Sequence, residues 1–342
     1  MRLDNAIPDS QSGASAPWWE SLPFGFRDVR VSRGTRPAGF RFSKFIINIE
    51  ASLDGMEVRA CGEAKTEDLA MTKAIMELIE RASLMRWHKG LNHENLGTSN
   101  GWAAHETLPQ ARTGAILELV ERDAVLAQWY LSVPFLEITP SEWPQSILHW
   151  VRNELSQSEF PEMKLLISTE GLGPSVTCLF LNAAGYGVSG HSTKTELQDS
   201  IESAIAETCR AAHHALRRSF WNDSQILLRR EERVRVQPGA HAVYYAHHEP
   251  FPAWMFGPAT SWLEAEQSWN ERLDLLRSEA SDFKFHQALE HPVIAGFATH
   301  ERAFELAWGS TDIQKVLKQA EKRNFSVSMK ERTLNTQPHI VS

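Results

Sequence analysis

The sequence predicts an α+β fold in which mixed and antiparallel sheets pack against amphipathic helices. Three observations point there. Strand-like and helix-like segments share the same 342 residues without the strict alternation that a wholly parallel sheet requires. Apolar residues recur with a period of two in some stretches and about 3.6 in others. Two helical stretches also carry nearly the same heptapeptide, Ile75–Arg81 (IMELIER) and Ile116–Arg122 (ILELVER).

Taken in order, residues 1–44 are rich in Pro, Gly, Ser and Arg and read as an irregular arm. Residues 45–342 read as a single domain. FRFSKFIINIEASL alternates as a strand, and MEVRACGEA follows as its hairpin partner. A helix is expected from Thr66, which can cap it, to about Trp87, with Glu67 and Asp68 at its positive end. A second helix runs from near Leu108 to about Tyr130. MKLLISTEG and SVTCLFLNAAGYGVSG read as strands that feed a long helix from about Thr195 to Arg218. The last third mixes strand-like pieces (HAVYYAHH, HPVIAGFAT) with the amphipathic helices SWLEAEQSWNERLDLLRSEA and TDIQKVLKQAEKR.

Composition narrows the function classes. The formal net charge is −8 and the pI near 6.0, which argues against a binder held by phosphate neutralisation, so no nucleic acid is expected. No run of apolar residues is long enough for a membrane span, and MRLDNAIPDS lacks the apolar stretch of a signal peptide. Cys61, Cys178 and Cys209 are scattered and form no Cys-x-x-Cys pair, consistent with a reducing, cytoplasmic setting. Twelve Trp residues suit deep cores or interfaces and are compatible with a homodimer.

The repeated heptapeptide carries the chemistry. On a helical wheel Met71, Ile75, Leu78, Ala82 and Met85 form a buried stripe, while Lys73, Glu77 and Glu80 fall on the other side with Arg81 at its margin. In the second copy Ile116, Leu119, Val120 and Ala127 face the core, with Glu118 and Glu121 opposite and Arg122 beside them. One such helix is ordinarily a solvated face. Two with the same identities and spacing point to shared work. Carboxylates brought together without a partner repel. Their natural counter-charge is a hard divalent cation, Mg²⁺, which completes its shell with water and phosphate oxygens. Arginines next to them suit phosphate. Asp123 points into the apolar stripe and therefore needs a buried hydrogen-bond partner.

At this point the residues resemble a known family. GEAKTEDLAMTKAIMELIERAS and TGAILELVERDAVLAQW look like the first and second ATP-binding blocks of YcaO-domain proteins, and GYGVSGHSTKTELQDSIESAIAETCRAA looks like the third. The likeness covers roughly 45–220, and 221–342 follow by continuity. It implies an enzyme that activates backbone amides of ribosomally made peptides by Mg²⁺-ATP-dependent phosphorylation of the amide oxygen, with azoline formation as the best-known outcome. By position it implies Glu77, Glu80, Glu118, Glu121 and Glu207 as metal ligands and Arg81 and Arg122 near phosphate, with Lys65 or Lys73 as a replacement for a lost phosphate-binding cation. A precursor peptide is the implied substrate, delivered with or without a partner protein.

The chain departs from the family pattern in several places. Gly62-Glu63-Ala64 stands where glycine-lysine-glycine is usual, and Lys73 stands where a small hydroxyl residue is expected. Gln110 and Gly114 replace a usual Glu and a Gln or His, and Arg210 and Ala211 lie where a Gln is expected. The chain ends NTQPHIVS rather than in a proline-rich tail. These changes motivate a second reading, a non-catalytic YcaO-like subunit that binds a precursor peptide or a partner enzyme.

Other signals are better explained structurally. GYGVSG satisfies G-x-G-x-x-G, but the helix starts too late for a pyrophosphate to sit on its end, and a tight turn accounts for it. The pairs His213-His214 and His247-His248 are not spaced as zinc ligands. Ser189 and Ser192 lie in no nucleophile elbow, and Cys209 reads as a buried thiol.

Overall fold

The structure, a computed structural model, describes residues 24–90, 100–216, 245–247, 249–290, 293–304 and 313–323. It is α+β, and the chain clusters into two compact units. Of the described residues, the first holds 24–35, 43–90, 100–116, 285–290 and 293–299, and the second holds 36–42, 117–216, 245–247, 249–284, 300–304 and 313–323.

In the first unit β1 (Arg27–Arg33), β2 (Phe45–Leu53) and β3 (Met56–Ala64) form an antiparallel sheet in that order. β1 lies within the stretch expected to be irregular. Its Arg-rich, mostly exposed sequence hides the alternation that would mark a strand. Asp54 and Gly55 join β2 to β3 with φ of 52° and 80°, the left-handed pair that a two-residue hairpin needs. Helix α1 (Glu67–Gly90) follows, and Thr66 caps it through its Oγ1, which accepts from Leu69 N–H at 3.4 Å. Ala70, Ala74, Ile75, Leu78, Ile79 and Ala82 bury its apolar stripe against Ile47, Ile49 and Val58. A Cβ on Gly62 of β3 would sit 1.9 Å from the Ala70 carbonyl oxygen, so glycine is what allows strand and helix to approach. A second sheet, β10 (Lys284–Leu289), β11 (Ile294–Thr299) and β4 (Trp102–His105), packs Trp102 and Trp87 on Phe297.

Helix α2 (Leu108–Tyr130) crosses the boundary between the units after Ile116. In the second unit β8 (Gly187–Ser192), β7 (Val176–Leu181), β6 (Glu162–Ile167), β5 (Phe135–Ile138) and β9 (Phe256–Thr260) form a five-stranded sheet in that order. It is antiparallel except where β5 meets β9. Every residue of β7 is buried. GYGVSG divides into a turn, with Gly185 at φ 80°, and the start of β8, while α4 (Leu197–Leu216) begins only after Glu196. The turn expected there is borne out. A Cβ on Gly190 would meet Thr208 N at 2.4 Å, so this glycine too lets a helix close on its strand.

Further helices among the described residues include α3 (Gln145–Asn153), α5 (Trp262–Ser278) and α6 (Ile313–Glu321). A capping box between Ser261 and Glu264 starts α5. Of HAVYYAHH, expected as a strand, the described residues Tyr245–His247 are helical. The neighbours Tyr245 and Ala246 are both buried, which an alternating half-buried strand does not permit.

The Ser168–Ser175 segment between β6 and β7 is held on two sides. Gln128 Oε1 of α2 accepts from Thr169 N–H at 3.1 Å and Glu170 N–H at 2.8 Å. The Arg272 guanidinium of α5 donates to the carbonyls of Ser168, Glu170, Gly171 and Gly173. Asp123 is fully buried and accepts from Leu172 N–H at 2.8 Å, from Phe304 N–H at 2.6 Å and from the Arg323 guanidinium. That is the buried partnership its place in the apolar stripe demands. Among the described residues no helix is long and apolar enough to cross a membrane.

Candidate functional site

In the second unit α2 and α4 bring three carboxylates into one electrostatic cluster: Glu118, Glu121 and Glu207. Leu119 and Val120 are buried in the core, which turns Glu118 and Glu121 to the same side of α2, one turn apart. On α4, Ile201, Ala204, Ile205 and Thr208 are buried, leaving Glu207 beside β8. Backbone donors fix two of the acids. Glu121 Oε2 accepts from Thr193 N–H at 3.2 Å, and Glu207 Oε2 accepts from His191 N–H at 3.0 Å. Thr193 is itself tied by its hydroxyl to the Pro174 carbonyl at 2.8 Å, and His191 Nδ1 lies 3.0 Å from Thr177 Oγ1.

Cations accompany the acids. Arg122 Nε lies 3.7 Å from Glu121 Oε1, and an Arg210 terminal nitrogen lies 3.9 Å from Glu207 Oε1. Burial pushes the Glu118 carboxyl up to about 8; Arg122 and Lys194 oppose the rise, and Glu121 and Glu207 add to it. Glu121 is pushed up to about 7, again by burial first, with Arg122, Lys194 and the Thr193 N–H opposing and Glu207 adding. Burial acts to lower Arg122, but the three carboxylates outweigh it and its pKa is raised. The cluster therefore favours positive charge: either protons or a metal would relieve the strain among its acids. All three donors are hard oxygen ligands, the type Mg²⁺ takes. Among the described residues no group of three or more His, Cys, Asp or Glu side chains stands close enough together to hold a metal ion. Two of the acids here are spent on backbone N–H groups. Ligation would therefore draw on their remaining oxygens and on side-chain rotation.

The first unit places its predicted residues along α1. Glu77 Oε2 accepts from Cys61 N–H at 2.9 Å, and Glu77 Oε1 pairs with Arg81 at 2.6 Å. Arg81 also donates to the Arg59 carbonyl at 2.7 Å, and Lys73 Nζ donates to the Glu63 carbonyl at 3.2 Å. Glu80 is half-buried on the same helix. So the structure brings together Glu118, Glu121, Glu207 and Arg122 in one unit, and Glu77 and Arg81 in the other, with Lys73 turned onto a strand carbonyl.

Sequence reasoning missed Lys194, Thr193 and His191. A signal for them exists. Lys-Thr-Glu marks the start of both helices, at 65–67, where Glu67 opens α1, and at 194–196, just before α4. In each unit the strand N–H that holds a helix glutamate lies 16 positions before it.

Comparison with known proteins decides the family. The family model described as "YcaO cyclodehydratase, ATP- and Mg²⁺-binding" matches residues 87–283, more than half of the chain. The chain belongs to the YcaO family. No curated protein matches the sequence. Among solved structures, the fold resembles YcaO from Methanopyrus kandleri bound with AMPPCP and Mg²⁺, at 13% identity and TM-score 0.53 over 82% of this chain and 86% of that one. It also resembles a heterocyclase in complex with substrate and cofactor, at 11% identity and TM-score 0.57 over 90% of this chain. This YcaO chain spans only 54% of that heterocyclase's length. At such identities the likeness is one of fold, and it agrees with the α+β architecture expected from sequence.

Proposed function

We propose that this YcaO protein uses Mg²⁺-ATP to phosphorylate a backbone amide oxygen of a ribosomally made peptide, giving an azoline or a related backbone change. The observation that carries this reading is the cluster of Glu118, Glu121 and Glu207 with Arg122, in which burial and mutual repulsion hold two carboxyls well above their usual range. Perturbed acids gathered in one place mark functional sites more often than solvated faces. The family model is described as ATP- and Mg²⁺-binding, which supplies the ligand class.

In this reading Glu118, Glu121 and Glu207 of the second unit would hold the metal, while Glu77 and Glu80 of α1 are candidate carboxylate ligands by the family resemblance alone. The chemistry Mg²⁺ would supply there is neutralisation of phosphate charge. Arg122 would hold phosphate oxygens by paired hydrogen bonds, and Arg81 of the first unit is a candidate for that role by the family resemblance alone. A substrate side chain would first add to the amide carbon and give up its proton, and the amide oxygen would then bond to the terminal phosphorus as ADP leaves. Phosphate would then depart with that oxygen while the amide nitrogen gives up its proton to form the C=N bond, so the peptide loses the elements of water. An amide oxygen leaves readily only once phosphorylated. The substrate is a precursor peptide, and a delivering partner protein and self-association belong to the same proposal.

The test combines ATP turnover with mass spectrometry of a co-expressed candidate precursor. Mg²⁺-dependent ATPase activity together with loss of water from the peptide supports the reading. A fold that ignores millimolar Mg²⁺-ATP in a thermal-shift assay sinks it, and leaves a scaffold subunit as the better account. The Lys73–Glu63 carbonyl contact, which commits a predicted phosphate-binding cation to a strand, is the observation that favours that second account.

A further inference from the structure

Lys194 has so far figured only as a charge that opposes the rise of Glu118 and Glu121. It lies in the turn between β8 and α4, directly after Thr193, whose N–H holds Glu121 at 3.2 Å. Its own N–H donates to Ser200 Oγ at 2.8 Å, and that hydroxyl donates to the Glu196 carbonyl at 2.9 Å. The backbone on both sides of the residue is thereby fixed. The side chain is exposed, and its charge reaches both Glu118 and Glu121. Among the described residues no carboxylate pairs with its ammonium, whereas Arg122 and Arg210 each stand beside one acid of the cluster.

An exposed loop lysine is ordinarily just solvated. Three features set this one apart: an anchored backbone, a position directly after the residue whose N–H holds Glu121, and an ammonium left over after the arginines have found partners. We propose that Lys194 grips the terminal phosphoryl group of the nucleoside triphosphate, a proposal that rests on the Mg²⁺-ATP reading above. The chemistry fits the residue type. A planar guanidinium suits oxygens that stay put, while an ammonium on a four-carbon stem is a compact charge that can follow a phosphoryl group between donor and acceptor. Charge spreads over the three equatorial oxygens as the bond to ADP breaks and the bond to the amide oxygen forms. Lys194 donates hydrogen bonds to those oxygens and transfers no proton.

The experiment measures binding of Mg²⁺-ADP and of a Mg²⁺-bound non-hydrolysable ATP analogue to the full chain and to Lys194→Met and Lys194→Arg. Wild type is expected to favour the triphosphate. Lys194→Met is expected to cut that preference about tenfold, the loss of one charge-assisted hydrogen-bonding group, while ADP affinity stays within about twofold. Lys194→Arg restores part of the preference, which a merely structural role would not do. If Lys194→Met keeps the wild-type ratio, this assignment alone is wrong. If wild type binds neither nucleotide, the Mg²⁺-ATP reading fails and takes the assignment with it.

Discussion

Ile75–Arg81 and Ile116–Arg122 are nearly one sequence in two settings, and the settings make them different. In the first copy the arginine side chain is 50% exposed and reaches back one turn to Glu77. In the second it is 13% exposed and lies against its neighbour Glu121. The residue after each arginine differs too: Ala82 and Asp123 are both fully buried, but one joins an apolar core and the other a polar hub. The same carboxylate spacing is thus a helix face resting on its own hairpin in one unit, and part of a crowded acid cluster in the other. Burial and neighbours set the chemistry, and the heptapeptide only offers it.

The comparison can be broken most severely at Asp123. Asp123→Ala makes the second copy match the first, but it leaves Arg323 buried without its acid and orphans two backbone N–H groups. A loss of about 3–5 kcal/mol is expected, read as a lower urea midpoint at unchanged slope. Glu121→Gln keeps the shape and removes a charge. It should lower ATP turnover about 10²-fold, the scale of losing one preorganised electrostatic group, with little change in melting temperature.

A pH series sharpens the contrast further. On the proposed reading Glu118 and Glu121 shed protons to bind metal, so Mg²⁺ affinity should rise between about pH 6 and about pH 9, as carboxyls near 7 and 8 ionise. The sign for stability is opposite. Both folded pKa values lie above the unfolded ones, so the metal-free protein binds more protons when folded and loses stability as pH rises from about 4.5 to about 8. Calorimetry with and without Mg²⁺ separates the two trends; a flat Mg²⁺ affinity across that window would count against the cluster as the metal site. The smallest effect belongs to Arg81→Ala. It removes a half-exposed pair one turn apart, worth under about 1 kcal/mol, and chemical denaturation should barely register it.

Much of this was legible beforehand. Both long helices announced themselves by periodicity, and α2 begins and ends at Leu108 and Tyr130 as the pattern predicts. The need of Asp123 for a buried partner also followed from its place on the wheel. Who the partners are did not, because Leu172, Phe304 and Arg323 come from 49, 181 and 200 positions away and no local rule reaches so far. β1 escaped notice since an exposed edge strand lacks alternation, and HAVYYAHH misled because a short apolar run suits strand and helix equally. Lys194 was invisible as a lone loop cation until Thr193 was seen to hold Glu121.

The Arg272 grip on Ser168–Ser175 has a kinetic side. Gln128 and Asp123 take the N–H groups of Thr169, Glu170 and Leu172, while Arg272 fills the carbonyls opposite. A connection between strands normally trades its amide hydrogens with solvent quickly and offers proteases a place to cut. This one should exchange as slowly as the strands beside it and resist nicking, a stiff hinge-free brace where a loop would ordinarily breathe.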